Sequence, residues 1–138
     1  MILRRISEVE TIDVGKAFGM PEGKMLIQWI ISNKVGDDRY RHRFALRKYT
    51  MKPVDPSTIP LHKHKYIQCL TVLSGRLLCE SQHGSVEVGP WESVYFYENE
   101  PHKAVPIGNN TVELFCIIDC PDGGENCLPE IPKNVGTE

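Results

Sequence analysis

The stretch IPLHKHKYIQCLTVLSG, residues 59–75, sets His62, His64 and Gln68 at even spacing just ahead of an apolar run. Extended backbone repeats every two residues, so in a strand these three project from one face while Lys63 and Lys65 point the other way. Two imidazoles two residues apart can hold one cation from adjacent positions, and a carboxamide oxygen four residues on can supply a third, harder ligand. The same residues also fit a solvated basic loop, HKHK, leading into a core strand. A fourth ligand separates these readings. His102 offers one, at the start of a further strand after a turn rich in Asn, Glu and Pro in GPWESVYFYENEPHKAV, residues 89–105.

Outward from this stretch the chain reads as short strands between turns. MLIQWIIS, residues 25–32, is a dense β-favouring run expected to be covered on both faces, and NKVGDD, residues 33–38, is a turn. In HRFALRKYTM, residues 42–51, Phe44 and Leu46 share a parity with Lys48, while Ala45, Tyr49 and Met51 share the other with Arg43 and Arg47. One of these faces meets the core and the other meets solvent or a partner. KPVDPST, residues 52–58, is a Pro-punctuated loop that cannot continue a central strand. Beyond the Ser74-Gly75 turn, strands are expected over 76–82, 85–88, 93–97, 102–106 and 111–119, with a hairpin at His83-Gly84 and another turn at residues 108–110. His83 is then a turn residue, not a ligand. Many short strands without a 3.6-residue period predict an all-β sandwich or barrel. The expected organisation is an N-terminal arm with at most one short strand over residues 1–23, a β-barrel over 24–120, and an irregular tail over 121–138.

The two quoted stretches together resemble the cupin family. In its first motif HxH is followed after three residues by Glu, His or Gln and after six more by Gly, matched by His62, His64, Gln68 and Gly75. In the second, a Gly-Pro turn leads through a short strand to a Pro-His or Pro-x-His, matched by Gly89, Pro90, Pro101 and His102. The resemblance spans residues 42 to 120 and implies a double-stranded β-helix, or jelly roll, of one cupin unit with a metal near one mouth. It also implies a divalent ion, one of Fe, Mn, Ni, Cu or Zn, held by His62, His64, Gln68 and His102. Two departures stand out. Gln68 replaces the usual carboxylate, so the ligand shell is neutral and suits an anionic or ionisable ligand in the open positions. Trp91 stands where the family has a Gly that tolerates positive φ, which predicts a remodelled turn.

Composition narrows the function classes. The 138 residues suffice for one core, burying roughly two-thirds of the surface that the unfolded chain exposes. A formal net charge of −2 provides no bulk field for nucleic acid or anionic lipid. No apolar run approaches the roughly 20 residues that cross a bilayer, and the N-terminus lacks a signal-peptide pattern, so neither a nucleic-acid nor a membrane partner is expected and the location is read as cytoplasmic. The five cysteines follow no disulfide spacing. Cys69, Cys79 and Cys116 read as small hydrophobes in strands. Cys120 and Cys127 flank PDGGEN, a loop tight enough to bring the two together, and read as ordinary thiols, with a disulfide or a metal clip as the alternative.

A site of three His and one Gln leaves one or two positions of an octahedral ion open. The functional expectation is a metal-binding protein acting on a small anionic or enolisable molecule, by dioxygen chemistry or Lewis-acid isomerisation. The alternative is a non-catalytic binding or sensor module on the same barrel. Trp91, Tyr95, Tyr97 and Phe115 are candidates for pocket lining or for core packing. No general acid or base is identifiable, and no organic cofactor is expected. A homodimer is expected from the two-sided apolar character of residues 25–32 and from the resemblance.

Overall fold

Alternation of buried and open positions along the central strands builds the frame. The computed structural model describes residues 1–32 and 43–120. Nine strands lie among them: β1 (Ile12–Asp13), β2 (Met25–Ile31), β3 (Phe44–Met51), β4 (Gln68–Ser74), β5 (Leu77–Ser81), β6 (Gly84–Val88), β7 (Ser93–Phe96), β8 (His102–Pro106) and β9 (Val112–Asp119). One antiparallel sheet runs β1-β2-β3-β9-β4-β7 and the other β6-β5-β8. Val112, Leu114, Cys116 and Ile118 of β9 point inward with no exposed surface, and they share one core with Leu77, Cys79, Val88 and Val105 of the smaller sheet. The all-β jelly-roll expectation holds.

One expectation changes along β2, and that for β3 is met by one of its two faces. Residues 25–32 are not covered on both faces: Met25, Ile27 and Ile30 are buried, whereas Leu26, Gln28 and Trp29 are only partly so. The register shifts between Trp29 and Ile31, and the open side carries the chain's own N-terminal residues, with Gln28 Nε2 donating to the carbonyls of Ile6 and Val9 and Arg4 Nε to Ile30. On β3 the inward set is Ala45, Arg47, Tyr49 and Met51, so Arg47 enters the core at 1% exposure. The first 23 residues contain β1 and two 3₁₀ turns, Ile6–Glu8 and Gly15–Phe18. The expected turn at 33–38, the tail over 121–138 and Cys127 lie outside the described residues.

The molecule has two distinct ends. Gln68 opens β4, His102 opens β8 and Ile118 nearly closes β9, which places all three at one end of the barrel. At the other end are the Ser74-Gly75 turn and the exposed turn at 108–110. Gly75 has φ 82°, and a Cβ there would lie 2.7 Å from the Thr111 carbonyl oxygen, so a side chain is excluded twice over. The Pro90-Trp91 turn is not remodelled as the sequence suggested. Trp91 itself takes φ 65°, with its N–H donating to Val72 O at 2.7 Å while Val72 N donates to Glu92 O, so hydrogen bonds to β4 hold a bulky residue in the left-handed region.

Candidate metal centre

The segment carrying His62 and His64 is not a named strand, yet it is fixed on both sides. His62 and His102 exchange backbone hydrogen bonds at 2.9 Å in each direction, which sets their side chains on one face. Asn99 N donates to His64 O at 2.7 Å, tying the turn before His102 to the first histidine pair. Ile67 N donates to Asp119 Oδ1, and Lys103 Nζ donates to the carbonyls of Pro56 and Ile59 while pairing with Glu80, which holds the incoming loop against β8.

His62, His64 and His102 are all buried, and their candidate ligand atoms lie within 4.8 Å of one another. Each ring also meets an aromatic neighbour. Tyr66 stacks on His64 with centroids 3.9 Å apart, Phe96 stacks on His102 at 3.9 Å, and Phe18 meets His62 edge to face at 5.3 Å. Gln68 Oε1 completes the cluster, 3.0 Å from His64 Nε2 and 3.1 Å from His102 Nε2.

The protons decide what this cluster is for. His64 Nδ1 lies 2.8 Å from Tyr66 O and His102 Nδ1 2.7 Å from Glu100 O. A carbonyl only accepts, so each Nδ1 carries the hydrogen, and in a neutral ring each Nε2 is then a bare lone pair. Gln68 Oε1 is also an acceptor, and His62 Nε2 is buried with no hydrogen-bond partner. Three acceptors therefore face one another without a donor, beside an unpartnered ring nitrogen of His62. Protonating the rings would supply donors, but burial opposes it. Burial, then the neighbouring His102 and His64, holds the pKa of His62 well below its usual 6.5. Burial also lowers that of His64 despite the Tyr66 carbonyl and Gln68, and takes that of His102 down to about 4. With Gln68 Oε1 turned inward, what resolves such an arrangement near neutral pH is a cation at its centre, so the residues fit a divalent metal.

A cavity of about 30 Å³, room for roughly two water-sized groups, opens on His62, Gln68 and His102. Its other walls are mostly apolar and include Phe18, Met20, Met25, Met51 and Leu114, with Tyr49 among them. Burial raises the pKa of Tyr49 well above 10, against the opposing Arg47 charge.

All four candidate ligands read from the sequence thus meet at one point, whereas none of the four candidate aromatics lines the cavity. Trp91 is 80% exposed, Tyr97 68% and Tyr95 47%, and Phe115 lies on the outer face of β9. They line no pocket: Tyr95 and Phe115 have the strand parity that points away from the buried set, and Trp91 and Tyr97 lie outside the strands, in the turns on either side of β7. His83 sits in its exposed turn. What the sequence reading missed is Phe18, Met20 and Tyr49. Tyr49 was detectable, since it alternates with Ala45 and Met51; Phe18 and Met20 fall in a glycine-rich run with no period to expose them.

Residues 49–118 match the cupin domain family. No curated protein matches the chain. Among solved structures, the polyketide cyclase RemF from Streptomyces resistomycificus superposes with a TM-score of 0.72 at 20% identity, covering 99% of this chain and 88% of that one. A cupin-2 domain protein of Rhodospirillum rubrum gives 0.70 at 18% identity over 96% and 81% of the two chains. A protein of Thermotoga maritima described as a predicted oxalate decarboxylase gives 0.70 at 16% identity over 86% and 98%. At these identities the likeness is one of fold.

Proposed function

The chain belongs to the cupin domain family, and on that premise we propose that it is a metal-dependent protein acting on a small anionic or enolisable molecule. The observation that carries this reading is the convergence of His62, His64, Gln68 and His102 beside an apolar cavity, with three acceptors among them and no donor to satisfy them. A divalent ion bound there would supply Lewis acidity, or with a redox-active metal the activation of dioxygen. The chain's own part is to fix the ring tautomers through Tyr66 O and Glu100 O, to exclude bulk water with Phe18 and Met20, and to leave the ligand shell uncharged through Gln68. A neutral shell spares an anionic ligand a repulsion on the order of 4 kcal/mol, taking an effective dielectric of about 20 and a separation of about 4 Å.

Elemental analysis of purified protein, followed by an oxygen-electrode screen with enols and catechol-like acids, tests this. About one metal per chain with substrate-dependent turnover is expected, and protein that takes up no metal would refute it. A second reading, a binding or sensor module without turnover, is favoured by one feature: beyond the four ligands, the ionisable groups on the cavity wall are Tyr49, held protonated, and Lys103, engaged with Glu80 and two carbonyls. Zinc without turnover would select it. Gln68→Glu is expected to keep or tighten metal binding while weakening a small carboxylate far more than its neutral amide, as titration of both ligands would show.

We also propose a homodimer. On the outer face of the larger sheet Tyr95, Cys69, Ile117 and Leu46 follow one another in register across four strands, with Tyr95 and Ile117 well exposed. Light scattering that returned 15.7 kDa throughout the micromolar range would overturn this.

A further inference from the structure

One end of the Gln68 amide faces the imidazoles, and the other faces a sulfur. Gln68 Nε2 donates to Cys116 Sγ at 2.9 Å, and Arg47 Nη2 donates to the same atom at 2.9 Å. Cys116 has no exposed surface and pairs with Arg47 across β9 and β3. Arg47 is itself locked in place, with the Trp29 ring 5.1 Å and the Tyr49 ring 5.2 Å from its guanidinium carbon.

From this geometry, and resting on the metal reading above, we infer that Cys116 is a positioning residue that fixes which end of the Gln68 amide faces the metal. A carboxamide has two orientations of nearly equal shape, related by a half-turn. With Nε2 turned inward, its hydrogens would satisfy His64 and His102 directly and deny a cation its oxygen ligand. The sulfur opposes that turn. Arg47 carries only donors and keeps Cys116 in the accepting role, so the reversed amide would exchange a donated N–H for an oxygen set against sulfur lone pairs, with at best a weak S–H between them. The orientation of a ligand is thus set on the far side from the cavity, by a residue that touches neither metal nor substrate.

The test compares Cys116→Val, which removes the acceptor, with Cys116→Ser, which keeps one, and uses Cys79→Val as a control for volume change at a buried cysteine of the core. Zinc affinity is measured by chelator competition. Hydrogen exchange of the Gln68 side-chain amide is followed by NMR, its signal identified by its absence in Gln68→Leu. Cys116→Val is expected to bind zinc 10- to 100-fold more weakly and to lose the slow exchange, with Cys116→Ser and Cys79→Val near the parent. Unchanged affinity and exchange in Cys116→Val would overturn the inference, as would equal losses in Cys79→Val. If Cys116→Val does not fold, Cys116→Ala is read in its place. The amide signal is also read without metal, so a parent protein that bound no zinc would refute the metal reading while leaving the role of Cys116 decidable.

Discussion

The four converging side chains reach their meeting point by two different routes. Gln68 and His102 begin strands, and their positions follow from the ladders that β4 makes with β7 and β9 and that β8 makes with β5. His62 and His64 stand on a segment outside the named strands, joined to the rest by the His62–His102 pair of bonds, the Asn99 bond and the contacts of Tyr66 and Phe18. The strand-borne half draws its geometry from the core, and the loop-borne half draws its own from a few local contacts. The two halves should therefore answer differently to the same insult. Damage to the loop side should appear first in metal affinity, and damage to the strand side first in stability.

The largest effect is expected for His64→Ala, which should weaken metal binding at least ~1,000-fold, about 4 kcal/mol, while thermal unfolding still shows one cooperative transition. Retained metal by elemental analysis would remove His64 from the ligand set. Acid comes next, because both halves hold neutral imidazoles. A folded-state pKa of about 4 for His102, below the usual 6.5, means that the unfolded chain binds the extra proton between these values, so stability is lost as pH falls through that window. For the metal-free protein His102 alone contributes on the order of 3 kcal/mol of this loss. Urea unfolding at pH 7 and pH 4 measures it, and a His102→Gln variant should flatten the curve.

Paired substitutions sharpen the contrast. Tyr66→Leu removes the ring stacked on His64 and should lower metal affinity about tenfold, whereas Phe96→Leu, at 3% exposure in β7, should cost about 1–2 kcal/mol of stability. Equal profiles for the two variants, in chelator competition and thermal melts, would erase the distinction between the halves. The smallest effect is expected at a site remote from both. Trp91→Gly relieves a left-handed backbone and gives up little buried surface, so it should raise stability by about 0.5–1 kcal/mol with metal affinity unchanged.

The candidate ligand set was legible because a strand's period of two survives even where the backbone is only strand-like. Parity put His62, His64 and Gln68 together, and Pro101 marked the entry of His102. Arg47 was legible only in hindsight. Its parity agrees with Ala45, Tyr49 and Met51, but alternating apolar and basic residues do not reveal which face will be buried until Cys116, Trp29 and Tyr49 are seen to surround the guanidinium. The Trp91 turn misled for a related reason: side-chain preference disfavours φ 65°, and the hydrogen bonds to Val72 that override it come from a strand far away in sequence.

The separation of the two ends also bears on how the chain could be rebuilt. The turn at 108–110 is exposed, Gly108 has φ 69° with nothing within 4 Å of a would-be Cβ, and it lies at the opposite end of the barrel from the imidazoles. Surface turns of this kind accept foreign sequence and new termini. A fluorescent protein, an affinity tag or new chain termini placed there would report on the barrel or tether it without crowding the mouth that carries the imidazoles.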